Sequence, residues 1–209
     1  MNLQFKTYCF LVIALFFGFR SLAQSDTQKL KGQIAFGINS PSSSGFVENF
    51  QAKGVNFPTI NLGVQYMFKK ELGAKLDFGY NRFSNESDSP YFKVNYTRVN
   101  AQAVYDASFI LTFLPDRIGV VAHAGPGITF IKPLGDFPEN KLSYLNALAG
   151  LEIHYDVSPR FSVYADTSYI LGFASDFDPV MDGHGSFNGD LFNFTVGVSV
   201  SLSGCRYCD

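Results

Sequence analysis

Large apolar residues alternate one for one with polar residues and glycine at the C-terminal end of the chain. Phe192, Phe194, Val196, Val198, Val200 and Leu202 stand against Asn193, Thr195, Gly197, Ser199 and Ser201. A side-chain period of two belongs to a strand with one apolar face and one polar face. The same alternation recurs over residues 34–38, 60–68, 72–80, 99–105, 118–124, 149–155 and 163–171, so the pattern predicts eight strands.

Alternation alone equally suits a soluble sandwich or a lipocalin-like barrel with its apolar face inward. Two features decide against those. The polar rows are crowded with glycine and small residues, while the apolar rows carry the bulk and end in Tyr and Phe. A narrow barrel needs small groups inside, and a membrane needs apolar bulk outside with aromatic residues at both interfaces. The connections also alternate in length. Tight turns are expected at 69–71 and 157–160 and near 115–117, and long polar connections at 40–54, 83–93, 130–143 and 174–190. Short turns at one end and long loops at the other suit an outer-membrane barrel with periplasmic turns and external loops. The expected fold class is therefore all-β: an eight-stranded antiparallel up-and-down transmembrane β-barrel with its strands within about 31–202. Lipid offers no hydrogen-bond partners, so such a sheet must close on itself.

Composition sharpens this picture. Of 209 residues, 46% are hydrophobic and 16% charged, against about 25% charged in soluble domains. That much apolar side chain excludes disorder. Nineteen Gly and nine Pro argue against a helical bundle. A net charge of −2 gives no reason to expect a nucleic-acid partner. Residues 1–23 read as a signal peptide: one early Lys6, the apolar run 8–19, then Ser21-Leu22-Ala23 before a cleavage point at Gln24. The run is shorter than the roughly 20 apolar residues of a membrane-spanning helix, which disfavours an uncleaved anchor. The barrel domain is then 24–209, with a periplasmic tail at 203–209. Cleavage leaves Cys205 and Cys208, too few for a disulfide-built fold.

With these features the chain resembles the OmpA-like outer-membrane β-barrel family, over residues 31–202. The resemblance rests on the signal, the alternating strands, the His123-Ala-Gly-Pro-Gly127 segment and the Phe/Val pattern of the last strand. It implies the eight-stranded barrel domain alone, without a peptidoglycan-binding domain.

Five charged residues fall on the polar rows: Lys75, Asp77, Arg98, Glu152 and Asp166. In a narrow lumen they must pair and hydrogen-bond, because isolated buried charge is expensive. They form either a satisfied polar core or a small ion path gated by re-pairing. His123 and His154 share those rows and read as hydrogen-bonded lumen residues, too few for a metal site. Asp176, Asp178, Asp182 and Asp190 sit in one long connection, without the spacing of an EF-hand, and read as a solvated, flexible acidic loop rather than a Ca²⁺ site. His184 and Ser186 in the same loop invite a hydrolase reading, but the glycine-rich surroundings offer nothing to fix a nucleophile beside a base. Cys205 and Cys208 could close a local disulfide, bind metal together with a partner chain or form an inert tail, and a single CxxC without a second ligand pair favours the disulfide or the inert tail.

The expected function is structural: an outer-membrane barrel, not an enzyme, that supports membrane integrity or surface contact through its loops. A narrow low-conductance channel is the first alternative and a lipid-modifying barrel enzyme the second. No cofactor or metal is expected. Expected partners are outer-membrane lipid and lipopolysaccharide, the barrel-assembly machinery during insertion and an unidentified surface ligand, with the protein a monomer in the bacterial outer membrane.

Overall fold

The computed structural model describes residues 29–202 except 112 and 116. The signal-peptide region 1–23 and the tail 203–209, with Cys205 and Cys208, lie outside the described residues. Eight strands follow one another: β1 (Leu30–Pro41), β2 (Asn56–Met67), β3 (Leu72–Ser84), β4 (Lys93–Asp106), β5 (Ile118–Leu134), β6 (Leu142–Ser158), β7 (Phe161–Phe173) and β8 (Leu191–Ser201). Each pairs antiparallel with the next, and β1 closes the barrel on β8 from Lys31↔Ser201 to Pro41↔Leu191. Closure leaves no unpaired edge, as a sheet in hydrocarbon requires.

The two rows of each strand separate as their chemistry demands. On β8, Phe194 and Val196 are 40% and 49% exposed on the outside, whereas Thr195 and Ser199 are buried inside. Ile34, Phe36, Leu62, Val64, Leu76, Phe78, Leu151 and Ile153 continue the outer belt. These side chains meet acyl chains rather than one another, so the belt's apolar surface holds the barrel in the bilayer instead of building a core.

The chain departs from its sequence reading in three places. β5 and β6 run to 17 residues each and take up half of the connection expected at 130–143, leaving a loop at 135–141. The connection between β4 and β5 is not a tight turn near 115–117 but the whole of 107–117. Consecutive apolar residues there cannot alternate across a sheet, and the backbone instead coils, with Ile110 N–H on Ala107 O at 3.0 Å and Leu114 N–H on Leu111 O at 3.0 Å. Lastly, the lumen is polar only in its middle. Met67, Val104 and Val121 cluster at the short-turn end. At the loop end Phe83, Val94, Tyr96, Ile131, Tyr144, Leu148, Ile170 and Leu191 point inward and form one apolar cluster with loop residues.

Candidate functional site

The middle of the lumen holds the charged and histidine side chains, supplied by inward positions of β3, β4, β5, β6 and β7. Lys75 Nζ lies 2.6 Å from Glu152 Oε1. Glu152 Oε2 accepts from Gln33 Nε2 at 3.0 Å and lies 2.7 Å from His154 Nε2. Arg98 pairs with Asp77 through Nη1, which also donates to Asn100 Oδ1 at 3.1 Å, while Nη2 donates to Asn61 Oδ1 at 3.2 Å. Asp166 is joined to Asp77 through a relay: Gln102 Nε2 donates to Asp77 at 3.4 Å, Gln102 Oε1 lies 2.7 Å from His123 Nδ1, and His123 Nε2 lies 3.2 Å from Asp166 Oδ1. Ser168 completes the relay by donating to Asp166.

His123 thus bridges Gln102 and Asp166, while His154 bridges Glu152 and Ser162, with its Nδ1 3.1 Å from Ser162 Oγ.

The ligand atoms of His123, Glu152 and Asp166 all fall within 4.8 Å of one another. Glu152 is held by Lys75, Gln33 and His154, and Asp166 by Ser168 and His123. The donors already surrounding these carboxylates make the cluster an ion-pair knot, and a divalent ion would have to displace them.

Above this layer the external loops are interlocked rather than solvated. Phe187, from the loop over 174–190, is fully buried against Phe46 and Phe83, with ring centroids 4.9 and 5.0 Å away. Gly45 and Gly189 touch backbone to backbone there: a Cβ on Gly45 would lie 2.5 Å from Gly189 N, so only glycine lets these loops close. Ser42 N–H binds Asp190 O at 2.9 Å and Asn188 N–H binds Gly45 O at 3.1 Å. Asn140 Nδ2 donates to Met181 O and His184 O at 2.8 and 3.0 Å, which ties in the loop at 135–141.

That packing also places the other candidates. Asp190 accepts from Tyr169 Oη and Gly172 N–H, so it is a loop brace. Asp176, Asp178 and Asp182 line a surface cleft with Glu139 and Lys141. Ser186 is buried with its hydroxyl donating to Asn140 O at 2.9 Å, while the His184 ring stacks on Phe50 at 5.2 Å. The two side chains are thus spent on holding loops together, and no nucleophile–base hydrogen bond joins them among the described contacts.

Arg98, Asn100, Thr129 and Glu152 are each 0% exposed. They belong to a charged layer held between an aromatic cap and an apolar floor. Sequence reasoning placed the charges on the inner rows but missed the neutral partners Gln33, Asn61, Asn100 and Gln102. Only their row position marks them, since an amide carries no charge to balance.

A family model described as the outer membrane protein β-barrel domain matches residues 10–201. Three solved structures share the fold at low identity. Neisserial surface protein A aligns with a TM-score of 0.56 at 15% identity, covering 86% of this chain and all (100%) of that one. A major outer membrane protein of Thermus thermophilus aligns at 0.53 and 9% identity, covering 82% and 98%. The outer membrane protein OprG of Pseudomonas aeruginosa aligns at 0.52 and 10% identity, covering 86% and 99%. No curated protein sequence matches the chain significantly.

Proposed function

Because the chain belongs to the outer membrane protein β-barrel domain family, we propose that it is a non-conducting, non-enzymatic structural barrel that presents an ordered loop face for surface contact. Its place is the bacterial outer membrane. The reading of residues 1–23 as a cleaved signal peptide goes with export to that membrane. One observation carries the proposal: the buried charges sit between two apolar layers inside the barrel. A conducting path needs polar, hydrated side chains along its whole length, and here Met67, Val104 and Val121 interrupt it at one end and Phe187 with its neighbours at the other. At the loop end Tyr91, Phe173, Val180 and Met181 remain exposed, which supports contact with a surface ligand.

Planar-bilayer recording on the purified mature protein tests the reading. A quiet baseline across the physiological voltage range is expected. Discrete single-channel openings would favour the narrow-channel alternative, with the salt bridges as its gate. Mass spectrometry of lipid A from cells with and without the protein tests the enzyme alternative, and unchanged acylation is expected.

A further inference from the structure

At the short-turn end, the connection between β4 and β5 is built unlike its neighbours. It places Phe109, Ile110 and Phe113 at 54%, 57% and 80% exposure, the last being the highest value among the exposed large apolar side chains described. The segment is nonetheless pinned. Ser108 N–H binds Asp106 Oδ1, Val120 N–H binds Ser108 Oγ, and Ala107 N–H binds Val120 O, at 3.0, 3.0 and 2.8 Å. These bonds fix the start of the segment, beside Phe109 and Ile110. The patch is also continuous with the lipid-facing belt: Tyr105, on the outer row of β4, meets the Phe109 ring edge-on at 6.2 Å.

Charge at the same end points to one occupant. Lys29, Lys31, Lys69, Lys70, Arg117 and Arg160 gather around this rim, against Glu71, Asp106 and Asp156 among the described residues. The loop end has the opposite balance, with Glu48, Glu86, Asp88, Asp136, Glu139 and the loop aspartates outnumbering its lysines and arginines. Apolar side chains at the edge of the hydrocarbon beside a cationic rim fit the acyl chains and phosphates of an anionic glycerophospholipid.

Resting on the outer-membrane reading above, we infer that Phe109, Ile110 and Phe113 of the β4–β5 connection form a wedge inserted into the periplasmic leaflet. Phe109, Ile110 and Phe113 seat among the acyl chains, and the basic rim faces anionic headgroups. The wedge fixes the depth and tilt of the barrel from its periplasmic side.

The chain contains no tryptophan, so Phe113→Trp supplies a single reporter in the otherwise unchanged mature protein. Reconstitution into phosphatidylcholine vesicles, with and without phosphatidylglycerol and with bromine on the upper acyl carbons, is expected to give blue-shifted emission. The expected indole is strongly quenched by bromine and shielded several-fold from aqueous iodide, more so with phosphatidylglycerol present. Phe109→Trp is expected to behave alike and guards against a local fault of the first variant. A water-like emission open to iodide would overturn the wedge. So would a shielded indole that bromine does not quench, since a second copy or another protein would then cover the patch. Heat-modifiable gel mobility of the same vesicles separates the two levels of failure. Loss of the mobility shift indicts the barrel reading, whereas a folded barrel with a wet indole indicts the wedge alone.

Discussion

Glu152→Leu is expected to cost the barrel about 3–5 kcal/mol, because it removes one partner of a buried ion pair and leaves the other charge uncompensated. Lys75 loses its 2.6 Å contact, and Gln33 and His154 lose their acceptor in the same step. Lys75→Met alone is expected to fall in the same range, since Glu152 then keeps only neutral or weakly basic donors. The informative variant is the double one. Lys75→Met with Glu152→Leu replaces a charged pair by apolar side chains of similar bulk, an exchange that is often close to neutral. Most of the loss is therefore expected to be recovered, the remainder reflecting the stranded Gln33 and His154. Equilibrium urea unfolding in lipid vesicles reads all three. A double variant as weak as the sum of the singles would mean that the two residues do not act on each other.

Phe187→Ala is expected to loosen the loop cap by about 3–5 kcal/mol, the range for deleting a fully buried phenyl ring. Phe187 is 0% exposed and touches Phe46, Phe83 and Tyr96, so truncation removes the ring on which three loop-end aromatics converge. The loss is expected to be local. The strand ladder that closes the barrel does not pass through Phe187, and backbone exchange in β1 to β8 should stay slow. Hydrogen exchange at Ser42 and Asn188, whose N–H groups bridge the loops, is expected to accelerate by about two to four powers of ten, the same energy expressed as a rate. Unchanged exchange at those amides would mean that the cap is held by its backbone bonds alone.

Much of this barrel is written in the alternation. β8 shows why: successive side chains from Phe192 to Ser201 point alternately outward and inward, and burial follows the row. The charged lumen residues were visible for the same reason, as isolated charges on rows otherwise small and polar. What binds them was not visible. Gln33 and Glu152 are 119 residues apart, and only the closed circumference brings them within 3.0 Å. The apolar cap left a fainter trace. Where alternation collapses into adjacent apolar pairs, at Phe130-Ile131, Ile170-Leu171 and Leu191-Phe192, one member faces lipid and the other faces inward to the cap. A reading that assigns every bulky residue to the lipid side passes over such pairs. The phenylalanines of the loops were missed for a related reason. Ser, Asn, Asp and Gly around Phe46, Phe50, Phe137 and Phe187 read as solvated chain, although these rings and that of His184 pack in contacts of 4.9 to 5.9 Å and bring those loops together.

Selective line broadening in NMR spectra of the nanodisc-embedded protein is the most direct examination of a dry, inward-facing polar layer. A spin label carried on lipid acyl chains and a paramagnetic chelate confined to water would be added in turn. The lipid label is expected to broaden Val196 and Phe194, and neither agent to broaden the side chains of Arg98, Asn100 or Thr195. Broadening of Arg98 and Asn100 by the aqueous chelate would reveal a hydrated path through the lumen. Broadening of Thr195 by the lipid label would mean that the strands face the other way.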